Sequence, residues 1–140
     1  MISLEMLYDA KNVLKDFVRL TPLSPAPGIG DGIYIKSENL QLTGSFKLRG
    51  ASYKIHSLTE EEKAKGVIAC SAGNHAQGVA YAASKYGVPA TVVMPTTTPL
   101  IKVNRTKGYG AKVVLYGNVY DEACEYAMKL AKEQGLTFVH

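Results

Sequence analysis

The chain predicts an α/β fold: a small open parallel sheet flanked by helices, in three αβα layers. Three observations carry this expectation. Short apolar runs at Val67–Cys70, Thr91–Met94, Lys112–Leu115 and Thr137–Val139 alternate with helical patterns at about 75–86, 99–107 and 120–134. Strands of about four residues, apolar throughout rather than at every second position, suit a parallel sheet covered on both faces. Gly87 and Gly135 follow two of the helical patterns, where glycine is a natural helix stop.

The elements follow in order. Leu7, Ala10, Leu14 and Phe17 form one stripe of an amphipathic helix, with Ser3 as its cap and Thr21-Pro22 as its end. Pro25, Pro27, Gly28, Gly30 and Gly32 mark a turn region. Its GIGDG string lacks the spacing and the strand-to-helix context of a dinucleotide fingerprint, so it reads as a connector. Ile33–Lys36 is a short strand, and a helix at about 47–56 comes next. Thr59-Glu60-Glu61-Glu62 opens another helix with its acids at the favourable end of the dipole, and Gly66 stops it. Ala123, Ala127, Leu130 and Ala131 share one face of the last helix. The organisation expected is an N-terminal helix-and-strand segment over 1–45 and a small open α/β domain over 46–140.

Composition narrows the function classes. A chain of 140 residues, 46% hydrophobic and 20% charged, is one ordinary globular domain. No run approaches the roughly 18 apolar residues of a membrane span. Glu5 and Asp9 interrupt the start, where a signal peptide needs an unbroken apolar block, so a cytoplasmic location is expected. The net charge of +4 is mild and its lysines are scattered, which argues against a nucleic-acid partner. Cys70 and Cys124 form no CxxC pair and read as small buried hydrophobes. His56, His75 and His140 have no i, i+4 spacing, so no metal site is expected.

Two stretches stand out. In SENLQLTGSFKLRGA, from Ser37 to Ala51, Lys47 follows a glycine- and hydroxyl-rich turn and an aromatic residue, and opens a helix. It is either a solvated helix lysine or a nucleophile, and a nucleophilic amine needs partial desolvation to favour its neutral form. The second stretch is Ser71-Ala72-Gly73-Asn74-His75, at the junction between a strand and the next helix. Open parallel sheets bind ligands at the carboxyl ends of their strands, where helix-start amides favour an anion such as a carboxylate. An ordinary capped turn, with Ser71 or Asn74 as N-cap and His75 structural, is the alternative.

Together, SENLQLTGSFKLRGA and SAGNHAQGVA resemble the serine/threonine dehydratases, the fold-type II family of pyridoxal-phosphate enzymes. The likeness runs on through MPTTTPLIKVNRTKGYGAKVVLYG and covers essentially the whole chain. It implies that Lys47 forms a Schiff base with pyridoxal 5'-phosphate, that Phe46 packs on the pyridine ring, and that Asn74 bonds the phenolic oxygen. It also implies that Ser71, Ala72, Gly73, Asn74 and His75 hold the substrate carboxylate, mostly through main-chain amides. The implied reaction is α,β-elimination of L-threonine to 2-oxobutanoate and ammonia, with serine as a further substrate, in isoleucine biosynthesis or threonine catabolism. Serine racemases of this fold carry a second serine where this chain has Ala72. Alanine has no exchangeable proton, so dehydratase is favoured over racemase.

The family's enzymes are more than twice this long. They hold the cofactor phosphate in a glycine-rich loop, and no GGGGL-like loop occurs in this sequence. The expectation is therefore the N-terminal lobe of a homo-oligomeric enzyme, inactive without its C-terminal lobe, with segment 1–45 packing on the absent large domain. The competing readings are a stand-alone α/β module for oligomerisation or small-anion binding, a serine racemase or serine dehydratase, and a nucleotide-binding domain, the last disfavoured for want of a phosphate loop.

Overall fold

The computed structural model describes residues 2–140. Helix α1 (Leu4–Leu14) leads to β1 (Leu23–Pro25), β2 (Tyr34–Lys36) and a single 3-10 turn at Glu38–Leu40. Helices α2 (Lys47–His56) and α3 (Glu60–Lys65) come next, then β3 (Val67–Cys70) and α4 (Asn74–Tyr86). The chain closes with β4 (Ala90–Met94), α5 (Leu100–Gly108), β5 (Lys112–Leu115), α6 (Tyr120–Gln134) and β6 (Thr137–Phe138).

The larger sheet is parallel and ordered β5-β4-β3-β6, with Val67 opposite Ala90 and Thr137, and Thr91 opposite Lys112. Period-2 alternation in β3 divides its apolar residues between two layers. Val67 and Ala69 join Ile55 of α2 and Val79 and Ala83 of α4. Ile68 and Cys70 turn the other way, onto Ala123 and Ala127 of α6. Val92 and Met94 of β4 meet Ala76 and Ala80 of α4 and Val103 of α5. The three-layer αβα expectation is met. The alanines of α4 and α6 let these helices lie close against the strands.

Differences are confined to ends and to the first segment. The expected runs at 91–94 and 137–139 become 90–94 and 137–138, and the helices at 75–86 and 99–107 become 74–86 and 100–108. Ser3 caps α1, its hydroxyl accepting from the Met6 amide at 3.2 Å. That helix stops at Leu14, well before Thr21-Pro22, and Phe17 lies beyond it, stacked on Tyr86 at 4.6 Å between ring centroids. Of the stripe, Leu14 is buried and Leu7 exposed. Strand β1 was not expected: it runs from the expected end of the first element into the stretch read as turn, overlapping it at Pro25, and exists because it pairs antiparallel with β2. Three residues with a terminal proline carry too little pattern to announce a strand by themselves. Thr59 and Glu62 complete a reciprocal capping box at the start of α3. Gly87 and Gly135 are left-handed caps, at φ 67° and 66°. Among the described residues, no helix is long and apolar enough to cross a membrane.

Candidate active site

Lys47 is the first residue of α2. The loop before it is held by charge and amide. Arg49 donates from Nε and Nη2 to the two carboxylate oxygens of Glu38, at 2.8 and 2.7 Å, and the Thr21 hydroxyl donates to the same carboxylate. Paired with Arg49, Glu38 is held well below the usual carboxylate range, at about 2, against the opposing effect of its burial. The Gln41 side chain accepts from the Arg19 amide at 2.8 Å and donates to the Arg19 carbonyl at 3.0 Å. A charge-assisted fork and a two-way amide bond thus fix both ends of the loop that leads to Lys47.

Lys47 itself is exposed, and among the described residues its ammonium makes no hydrogen bond or ion pair. Its Nζ stands 5.2 Å from the centroid of the Phe46 ring, within cation–π range. Phe46 is 59% exposed, so a broad aromatic face lies open beside the amine. The desolvated setting expected for a nucleophilic lysine is therefore not supplied by the residues described here. Thr43 and Ser45, just upstream, are buried with hydroxyls that lack partners.

The carboxyl end of β3 delivers the second stretch. The Ser71 amide bonds the Val93 carbonyl at 3.2 Å, continuing the sheet, and the Ser71 hydroxyl accepts from the Gly73 amide at 3.2 Å. Gly73 is the N-cap of α4, and no side chain caps that helix. Its first-turn amides are left for an incoming acceptor, at the positive end of the helix dipole. Neither Ser71 nor Asn74 is the capping residue. Asn74 is exposed, and Ala72 and Gly73 are half-buried. The His75 ring meets the Val139 carbonyl through Nε2 at 3.1 Å. A carbonyl can only accept, so Nε2 carries a hydrogen, and the imidazole ties α4 to the strand beyond α6.

Two adjoining hollows share Lys47, His75, Val139 and His140. One, of about 330 Å³, adds Ser71 with Cys70, Tyr120 and Cys124. The other, of about 250 Å³, adds Phe46. The structure thus brings Lys47 and His75 to both hollows, with Phe46 beside one and Ser71 beside the other, while Ala72, Gly73 and Asn74 lie outside both linings. Cys70 and Cys124, far apart in sequence, meet at the same place. Burial pushes the Cys70 thiol up to about 12, with Cys124 adding to the shift. A larger groove of about 670 Å³ lies on α1, among Met6, Leu7, Leu14, Val18 and Leu20, with Lys11, Lys15 and Tyr53 also in its lining.

Residues 14–140 match the family model described as pyridoxal-phosphate dependent enzyme. The chain belongs to that family. Members similar to it include the catabolic L-threonine dehydratase TdcB of Staphylococcus aureus strain N315, 52% identical over 99% of this chain and 42% of the relative. The L-threonine ammonia-lyase of Thermotoga maritima is 51% identical over 100% of this chain and 36% of its own length. Among solved structures, isoform 2 of threonine deaminase from Solanum lycopersicum aligns at a TM-score of 0.87 and 40% identity, over 99% of this chain and 43% of that one. Maize serine racemase aligns at 0.92 and 32% identity, again over 99% and 43%. This pyridoxal-phosphate family member therefore spans about two fifths of the length of the relatives it matches. Its sheet-and-helix architecture is the fold they share.

Sequence reasoning singled out Lys47 and the Ser71–His75 turn but not Glu38, Gln41 and Arg49, which hold the loop before Lys47. All three lie in the same SENLQLTGSFKLRGA string, and the opposite charges of Glu38 and Arg49 were the available signal. Gly78 of α4, where a side chain would meet the Lys47 carbonyl at 3.1 Å, was not singled out either. Its only signal was a glycine inside a helical run of small residues.

Proposed function

We propose that this chain supplies the lysine-bearing lobe of a threonine dehydratase, which converts L-threonine to 2-oxobutanoate and ammonia and also accepts serine. The observation that carries the reading is the hollow that Lys47 shares with Ser71 and His75, which flank the uncapped start of α4. The residues fit pyridoxal phosphate chemically. Lys47 offers an unpaired amine to its aldehyde, Phe46 an open aromatic face to its ring, and Asn74 an exposed amide to its phenolic oxygen. Bound there, the cofactor supplies an electron sink for the charge left at the substrate α-carbon. The Ser71–His75 turn holds the substrate carboxylate, mostly through the main-chain amides of Ala72, Asn74 and His75, since those of Ser71 and Gly73 are already bonded. Lys47 Nζ removes the α-proton, and the β-hydroxyl departs as water. The enamine that is released takes up water to give the 2-oxo acid and ammonia.

Ala72 is the reason to prefer elimination to racemisation, since it can deliver no proton from the opposite face. The names of the Staphylococcus relatives favour a catabolic role. Cys70 and Cys124 are both free thiols, which suits a reducing, cytoplasmic compartment. The exposed apolar face of α1 supports the reading of 1–45 as the part that packs on a further lobe, one that would also grip the cofactor phosphate, in a homo-oligomeric parent.

The test is direct. In the protein carrying both lobes, Lys47→Ala should lower 2-oxobutanoate formation by at least ~10²-fold, the scale of a lost acid–base group. Retained activity would remove Lys47 from its role. The 140-residue chain given pyridoxal phosphate and threonine should show no turnover, and robust turnover would overturn the two-lobe reading.

A further inference from the structure

Gly78 lies in the fifth position of α4, inside a helix, with nothing in its backbone that requires glycine. Glycine is among the weakest helix formers, because it loses most backbone freedom on folding. What surrounds it gives a different reason for its presence. A methyl group built at residue 78 would sit 3.1 Å from both the carbonyl carbon and the carbonyl oxygen of Lys47, and 3.2 Å from the Leu48 amide nitrogen. All three are backbone atoms of a single peptide. They cannot swing aside as a flexible side chain would. The helix carrying that peptide is also held elsewhere, since Leu48, Ala51 and Ile55 are almost wholly buried.

We infer that Gly78 is a positioning residue for Lys47, its missing side chain letting α4 press against the Lys47–Leu48 peptide. One helix then sets both halves of the site. Its N-terminus carries the amides of the Ser71–His75 turn, and one turn later Gly78 fixes where the Lys47 backbone enters the opening. The amine and the carboxylate subsite are registered to each other through one backbone contact. A methyl at 78 must open that contact by a few tenths of an ångström and move Lys47 relative to the turn. The catalytic half of this inference rests on the proposed role of Lys47; the packing half does not.

The experiment compares Gly78→Ala with Gly108→Ala in the 140-residue chain. Gly108 ends α5, is exposed and has open space around it, so alanine there tests helix propensity alone. Amide NMR spectra should show Lys47 and Leu48 among the most shifted signals in Gly78→Ala and unmoved in Gly108→Ala. The urea midpoint should fall for Gly78→Ala and hold or rise for Gly108→Ala. Unmoved Lys47 and Leu48 signals, or a raised midpoint for Gly78→Ala, would overturn the packing claim. Each protein is then incubated with pyridoxal phosphate and trapped with borohydride, at a temperature where its near-ultraviolet circular dichroism is native. Labelled peptides are mapped, with exposed Lys85 of the same helix as internal reference. The ratio of Lys47 to Lys85 label should drop about threefold to tenfold, since small misplacements of reacting groups carry large rate costs. An unchanged ratio with shifted signals would overturn the positioning role while leaving Lys47 in place. No label on Lys47 in the unsubstituted chain would instead sink the reading of Lys47, and the positioning role with it.

Discussion

The two parts of the chain on either side of Ser45 treat their apolar side chains in opposite ways. From Leu48 onward, the sheet and its helices bury Ile55, Val67, Ile68, Val79, Val92, Val93 and Met94 completely. In the first part Leu14 is the one buried hydrophobic residue among those described, whereas Leu4, Leu7, Leu20 and Ile29 are more than half exposed. Apart from Leu14 and the Phe17 stack on Tyr86, what ties that part down is polar. Glu38 bonds Arg49, Gln41 clasps Arg19, and the Tyr53 hydroxyl donates to Asp9 at 2.8 Å. The comparison teaches that the site sits on a seam. Lys47 begins the sealed body, but the loop that delivers it belongs to a segment held mainly by hydrogen bonds and one ion pair, with the Phe17 stack on Tyr86 beside them. An apolar groove beside a polar clamp fits the proposal that this segment packs on further protein.

The comparison can be broken most decisively by truncation in each part. Ile68→Ala, between β3 and α6, should cost about 2–5 kcal/mol, because the cavity left in a close-packed layer cannot collapse. Leu7→Ala should stay within about 0.5 kcal/mol, since its side chain is already in water. Urea unfolding followed by circular dichroism measures both, and comparable losses would dissolve the distinction between sealed and open parts.

The clamp can be sharpened with Glu38→Gln. Removing the charge leaves the half-buried Arg49 guanidinium short of its partner, and about 1–3 kcal/mol should be lost. Glu38 is held at about 2 in the folded chain, well below an ordinary glutamate, so it binds its proton later than the unfolded chain does. Its contribution is full above the ordinary glutamate range near 4.5 and fades as pH falls through that range toward about 2. Stability measured from pH 6 to pH 2 should therefore drop less steeply in Glu38→Gln. Parallel curves would show that the ion pair does not hold the loop.

The smallest effect concerns the thiols at the opening. Burial holds Cys70 protonated up to about pH 12, whereas Cys124 is half-buried. Iodoacetamide at pH 8, read by peptide mass, should modify Cys124 first and Cys70 only on unfolding. Faster modification of Cys70 would place it on the open side of the seam.

Much of the body was legible because its signals are local. Apolar runs of four residues, the Thr59-Glu62 box, and the glycines at 87 and 135 each act within one turn or strand, so their outcome is written in neighbouring residues. The first part was read less well: the stripe through Phe17 was carried past the end of α1, and β1 was not seen. A helix whose apolar face meets little protein gets no packing to extend it, and a three-residue strand exists only through its partner.

At the site, sequence alone determined Lys47, its aromatic neighbour Phe46 and the small-residue turn at 71–75. These are chemical identities in contiguous strings, and the family match at 14–140 rests on the same contiguity. Tertiary structure alone decided that Lys47 and Ser71 share an opening, that Glu38 and Arg49 brace the loop, that Cys70 meets Cys124, and that Gly78 touches the Lys47 peptide. Each of these joins residues from separate elements. Such contacts depend on helix-to-strand distances set by the packed layers, which no local pattern encodes.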